Sequence, residues 1–253
     1  MPRAIGLTMY AVAVAVLGVM VAAGKLVYVW APIPDWVPRG DLLASAAGAV
    51  MAVAALALMW RKTARAASRI VAVLFACWLG LLQVPQLIAT PGEEALWAGT
   101  AELVMLVAGG WILCTGSPRA VRALYAAALP MLGLHHLLAH GAVSVVPAWL
   151  PLRAAWLYLT AFAHMAAGVA ILFGILARTA ARLEAIMITA FVALVHVPGV
   201  VDEPTDPLQW TMLVVASAIA GAAWIVADSY ARPQSARSIT SSSALPNAAA
   251  SGT

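Results

Sequence analysis

Five histidines, all beyond position 134, are the residues of this 253-residue chain best suited to chemistry. Imidazole binds iron, copper and zinc, moves protons, and donates or accepts hydrogen bonds in a ligand pocket. His136 and His140 are four positions apart and share one face of a helix, whereas His135 points about 100° away. His164 and His196 stand on two later segments, so four imidazoles from three helices (His136, His140, His164 and His196) converge in one region of the second half. Three readings follow. As metal or haem ligands, a pair at this spacing with one further imidazole suffices for a transition metal. As a pocket lining, with Trp156, Tyr158 and Thr160 nearby, they hold a quinone or another amphipathic ligand. As structural groups they hydrogen-bond between helices and bind nothing, each bond contributing under about 1–2 kcal/mol.

The remaining candidates are few. Lys25 and Glu102 are the other ionisable groups read inside the membrane, and their matching depth suggests an ion pair, with extension of Lys25 to the headgroups as the alternative. Cys77 and Cys114 form no Cys-x-x-Cys pair and read as small apolar residues. There is no Walker loop, no Ser-His-Asp arrangement and no acid beside the His-x-x-x-His pair, so hydrolase and ATPase chemistry find no support.

The elements that must position these groups follow from composition. The chain is 64% apolar and only 9% charged, where soluble domains carry about a quarter charged residues, and its mean hydropathy is +0.95. A soluble enzyme, a nucleic-acid-binding module and a disulfide-stapled secreted protein are excluded at this level. Apolar runs fall at 4–30, 41–60, 70–90, 97–115, 123–145, 154–177, 185–201 and 209–228, each close to the 20 or so residues that cross a bilayer. Helices are required, because open strand edges leave backbone groups unsatisfied in lipid, and no barrel-like alternation is present. The sequence predicts an all-α polytopic membrane protein with eight transmembrane helices, and the bilayer as its first partner.

Charge sets the orientation. Arg3, Arg61, Lys62, Arg65, Arg69, Arg119, Arg122, Arg178, Arg182, Arg232 and Arg237 fall on one side, eleven of the fourteen basic residues. The opposite loops hold Asp35, Asp41, Glu93, Glu94, Asp202, Glu203 and Asp206, with Arg39 and Arg153 as the basic exceptions. By the positive-inside rule both termini are cytoplasmic, in a cell inner (plasma) membrane. The net charge of +4 is thereby explained by topology, and no nucleic-acid partner is implied. Arg3, the apolar stretch after it and Ala22-Ala23-Gly24 resemble a signal peptide, but the run continues to Trp30 and recurs later, so it reads as a retained span. The Ser- and Ala-rich tail 231–253 reads as a disordered cytoplasmic end.

The chain repeats itself. IPDWVP at 33–38 returns as VPAWLP at 146–151, LQVPQ at 82–86 as VHVPG at 195–199, and Trp97 and Trp111 as Trp210 and Trp224, all at one offset. Leu17-Gly18 pairs with Leu132-Gly133, and Arg61 with Arg178, at offsets slightly larger than that, so small gaps separate the anchors. Two parallel four-helix units are expected, 1–117 and 118–230, related by an axis along the membrane normal. In this register His140 replaces Lys25 and His196 replaces Gln83, so the two units are specialised differently. Pro85 and Pro198 are equivalent and lie near the outer ends of spans three and seven, where they shape helix ends rather than a central gate.

Four short spans per unit, Gly24-Lys25-Leu26, and a second copy reading HHLLAHGAVSVVPAWLPLRAAWLYLTAFAHMAAG followed by LVHVP resemble the DoxX-like superfamily, in particular bacterial DoxX-like membrane proteins with a VPAWLP-type loop. The resemblance covers the second unit and, more weakly, the first. The second span reads SAAGAVMAVAA and lacks the Gly-x-x-Glu-like acid of many DoxX proteins. Members are linked to quinone-coupled sulfur oxidation, redox-defence complexes and, in eukaryotes, cargo or assembly roles, so the likeness implies an architecture rather than one reaction. The expectation is an inner-membrane protein with a His-lined outer-leaflet pocket for a quinone-like ligand, haem or a transition metal in a redox role, working with a membrane or redox partner protein. The alternative is a non-enzymatic small-molecule transporter or membrane scaffold. Whether it catalyses a reaction is left open by the sequence.

Overall fold

An apolar run inside a bilayer has one open-ended conformation that satisfies its own backbone, the helix. The computed structural model describes residues 2–27, 30–116, 119–139 and 141–230; His140 and the tail 231–253 lie outside them. Among the described residues there is no strand, and eight helices are long and apolar enough to cross a membrane. They are α1 (Pro2–Ala22), α2 (Gly40–Ala57), α3 (Ala64–Ala89), α4 (Glu94–Thr115), α5 (Arg119–Leu138), α6 (Arg153–Phe173), α7 (Ala177–Asp202) and α8 (Pro207–Ser229). The protein is an all-α, multi-pass integral membrane protein. One face of the bundle carries the acidic loops, and the other carries the basic ones.

Glycine, not loss of hydropathy, ends two of these helices. The first apolar run extends to Trp30, yet α1 stops at Ala22. Gly24 takes a φ of +63°, and the bonds Lys25 N–H to Met20 O (2.9 Å) and Gly24 N–H to Val21 O (3.1 Å) close a Schellman motif. The fifth run is cut in the same way: α5 ends at Leu138, and Gly141 at φ +79° leads into a one-turn helix, Ala142–Val145. Conversely, α3 and α7 begin at Ala64 and Ala177, well before their apolar runs at 70 and 185. Arg65, Arg69, Arg178 and Arg182 belong to the first turns, since a long basic side chain reaches the headgroups from a helix at little cost.

At the centre α4 packs against α8, and these two are the most buried helices. Around them α1 packs on α2 and α8, α5 on α6 and α4, α3 on α4, and α7 on α8. Element bounds recur at a fixed spacing. Gly40, Ala64 and Glu94 begin α2, α3 and α4, and Arg153, Ala177 and Pro207 begin α6, α7 and α8 at the offset that relates the two Trp-Pro loops. Two π-helical turns, Leu79–Gln83 in α3 and Val192–His196 in α7, stand in the same relation. So do Arg65 and Arg69 with Arg178 and Arg182, so the basic stretch keeps this common register rather than the longer one read from Arg61. Arg39 (φ 56°) and Leu152 (φ 54°) are left-handed at equivalent positions. Trp97 and Trp210 each donate Nε1–H to a proline carbonyl, Pro91 and Pro204, at 2.9 Å. Pro85 and Pro198 each follow a π-turn, where the missing proline N–H costs least.

Small residues set the helix spacing, as expected where no hydrophobic gain separates lipid from protein contacts. A Cβ on Gly18 would lie 2.6 Å from the Gly48 carbonyl, and one on Gly48 would lie 2.6 Å from the Gly18 carbonyl. Both distances are too short, so α1 and α2 are in backbone contact. Replacing Gly48 with Val should force these helices apart at about 1–3 kcal/mol, read as a lower Tm in detergent. Gly80→Ala, whose added Cβ meets nothing within 4 Å, should leave the Tm unchanged or raise it.

Candidate functional site

Between α5, α6 and α7 the same close packing creates a polar cluster. A Cβ on Gly133 would meet the Ala161 carbonyl at 2.4 Å, and one on Gly168 would meet the Ala126 carbonyl and Pro130 Cδ at 2.7 Å. α5 and α6 therefore touch along their backbones. His136, one turn on from Gly133, is carried onto His164, with ring centroids 5.1 Å apart and planes tilted by 15°. Phe191 of α7 meets both rings edge-on, at 6.1 and 6.0 Å.

His164 is fully buried, and its Nδ1 lies 2.6 Å from Oε1 of Glu184, which is itself 1% exposed. A buried imidazole and carboxyl at this distance share a proton, either as an imidazolium–carboxylate pair or as its neutral counterpart. The pair is incompletely satisfied. His164 Nε2, Glu184 Oε2, His136 Nδ1 and the Tyr125 hydroxyl are buried and have no hydrogen-bond partner among the described residues, and Tyr125 is within electrostatic reach of Glu184. An unmet polar group of this kind costs about 1–3 kcal/mol. Toward the acidic face, His135 lies next to His136 with ring centroids 6.2 Å apart, and its Nδ1 is 2.5 Å from Oε2 of Glu94. Chemically, the arrangement is a column of protonatable groups contributed by four helices.

The sequence-derived candidates separate in this geometry. His136 and His164 come together. His140 lies outside the described residues. His196 is half-buried in the π-turn of α7 and makes no hydrogen bond to the described residues. Trp156 and Tyr158 are 43% and 55% exposed on the outside of α6. The expected ion pair does not form: Glu102 Oε2 accepts from Trp30 Nε1 at 2.9 Å, and Lys25 is exposed. The indole reaches the carboxylate because α1 ends early and the chain folds back into the bundle. Trp30 packs edge-on against Phe75 and Trp78, and Gln83 Oε1 accepts from Ala31 N–H at 2.8 Å.

Metal or haem fits poorly with the described donors. No three of the His, Cys, Asp and Glu side chains among them gather as a cation site. The stacked His136 and His164 rings present faces to one another rather than nitrogens to a shared iron.

Glu184, Glu94 and Tyr125 are missed by a sequence reading that counts only Lys25, Glu102 and the histidines as intramembrane ionisable groups. Glu184 precedes the apolar run at 185 and so reads as loop. A signal is present nonetheless: Arg178 and Arg182 share one helical face, and Glu184 lies about 200° round from Arg182, on the side facing the bundle. Comparison with family models, with curated proteins and with solved structures found no match.

The pair's coupling is directly measurable. Glu184→Ala should destabilise the protein by about 3–5 kcal/mol, because it strands His164. Glu184→Leu combined with His164→Leu should recover most of that loss in denaturant unfolding in mixed micelles. Additive single effects would show that the two groups are independent.

Proposed function

We propose that this chain is a DoxX-like inner-membrane protein, built as two parallel four-helix units (1–117 and 118–230) with both termini cytoplasmic, whose second unit holds an intramembrane proton-binding site. The carrying observation is the buried His164–Glu184 pair with unpartnered nitrogen and oxygen atoms on it and on Tyr125 and His136. Ionisable groups at membrane depth are costly and mark ligand or proton pathways. Imidazole accepts a proton on one nitrogen while releasing one from the other, and His136 beside it carries a second buried, unpartnered nitrogen. The recurrence of helix bounds and π-turns at a constant offset supports the two-unit reading, and the basic loops on the termini side support the orientation. In this reading the first unit is structural, because Trp30, Gln83 and Glu102 close it. The second does the work, as proton donor and acceptor in a redox or transport event involving a partner protein or a small molecule.

A quinone-like amphipathic ligand at the outer leaflet is the second reading of the same region. It draws on a shallow, open apolar surface on the lipid side of α6, formed by Phe162, Met165, Ala166, Val169, Ala170 and Ile175, with Tyr158 one turn from Phe162. A tail would lie along that surface, with a carbonyl headgroup at the level of Tyr158.

Infrared difference spectroscopy of the full chain in lipid, across a pH step, tests the first reading. A carboxyl C=O band that appears on acidification and is lost in Glu184→Gln is expected. A spectrum identical in wild type and Glu184→Gln would overturn it. Titration with a short-tailed benzoquinone tests the second: Tyr158→Ala and Phe162→Ala should weaken binding about tenfold, and saturation unaffected by both would exclude that site.

A further inference from the structure

We propose that Glu94 and His135 form the proton port of this site, connecting the acidic face of the molecule to the buried His164–Glu184 pair. The inference rests on the proton-binding reading of that pair and adds its direction of access. Glu94 is the first residue of α4 and His135 lies in the last turn of α5, so the two side chains meet at the acidic end of the bundle. They are in contact at 2.5 Å and remain 38% and 30% exposed. Inward of that contact the ring centroids of His135 and His136 are 6.2 Å apart and those of His136 and His164 5.1 Å, and His164 Nδ1 lies 2.6 Å from Glu184 Oε1.

Each step balances. Glu94 takes a proton from the aqueous face and passes it to His135 Nδ1, and His135 releases one from Nε2. His136 and then His164 each gain one proton and lose one, and Glu184 Oε1 receives it from His164 Nδ1. Among the described residues, His136 Nδ1 and His164 Nε2 are the unpartnered nitrogens on either side of the inner gap.

The exposure of the groups, not their charge, sets the direction of access. Around His135, α4 supplies Glu94 and also Glu102, which acts on it electrostatically. Its own helix supplies His136, and α6 supplies His164 beyond that. Of these neighbours only Glu94 is exposed to the aqueous face, whereas Glu102 is held inside by Trp30 and the two imidazoles lie deeper. On the basic side of Glu184, Ala177 and Ala181 of the same helix are buried. At that face Arg122 sits over the Tyr230 ring at 4.2 Å, while Arg178 and Arg182 repel protons.

The test is a pH jump with time-resolved infrared detection of the Glu184 carboxyl band, on the full chain in lipid. Glu94→Gln and His135→Gln should slow the band's appearance about tenfold or more and leave its final amplitude unchanged. A structural role alone would not separate rate from amplitude. Glu203→Gln, an acid on the same face outside the column, should keep the wild-type rate, and Glu94→Asp should restore most of it. Wild-type rates in both Glu94→Gln and His135→Gln, with the band present, would overturn the port and place entry at the basic face. Absence of any Glu184 band in the wild type would overturn the proton-binding reading and the port with it.

Discussion

Polar groups below the surface of a membrane protein have to find partners within the protein, because lipid offers none. That requirement shapes this chain from its helix ends to its interior. Where α1 stops at Ala22, the non-helical backbone that follows does not stay in lipid but is bonded into the bundle. Val27 N–H meets Thr211 Oγ1, Ala31 N–H meets Gln83 Oε1, and the Ala31 carbonyl accepts from Trp78 Nε1 at 2.9 Å. Irregular backbone is tolerated at this depth only where protein surrounds it, and Trp30 at 2% exposure is the residue that seals it.

The two halves answer the same requirement differently. In the first, Tyr10 donates its hydroxyl to the Leu106 carbonyl at 2.7 Å, and Glu102 and Gln83 are engaged by the segment around Trp30. In the second, Tyr125 is the counterpart of Tyr10, in the register that pairs Leu17-Gly18 with Leu132-Gly133. It is equally buried, yet its hydroxyl has no acceptor among the described residues. His196 occupies the position that aligns with Gln83 and makes no hydrogen bond to the described residues. The segment following α5 forms a short helix held by Arg153, which donates to the Val146 and Ser144 carbonyls. Helix bounds recur at one spacing along the chain, but among the described residues the polar groups around Tyr125 and His164 lack the partners that Tyr10 and Glu102 have.

Much of the frame is legible in the sequence because membrane helices announce themselves by hydropathy. All eight spans, and the turns of the Trp-Pro loops, follow from runs of apolar residues and from charge placement. The errors have physical causes. Hydropathy does not sense φ, so Gly24 and Gly141 end helices that the apolar runs continue. It also treats a carboxylate as a boundary, which leaves Glu184 out of the seventh span although a buried imidazole pairs with it. Trp30 reads as an interfacial aromatic, and nothing in its neighbours marks it as the partner of Glu102, three spans further along the chain. Long-range pairings of this kind depend on helix rotation, and that is set by Gly18, Gly48, Gly133 and Gly168 through backbone contacts whose depth a one-dimensional pattern does not contain.

Those glycines also explain how the unpaired site persists. A small separation of α5 from α6 would let lipid or water relax the stranded atoms, but Gly133 against Ala161 and Gly168 against Ala126 and Pro130 hold the backbones in contact. A protein loses stability when it keeps polar atoms unsatisfied, and natural sequences depart from local consistency mainly at functional sites. The first half shows that this fold can bury a tyrosine and a carboxyl with partners supplied. Retaining His136, His164, Glu184 and Tyr125 without full pairing, inside a frame stiff enough to prevent relaxation, is what sets the second half apart from the first. The hydrogen bond between His164 Nδ1 and Glu184 Oε1 spans 2.6 Å, and the glycine contacts hold in place the helices that carry it.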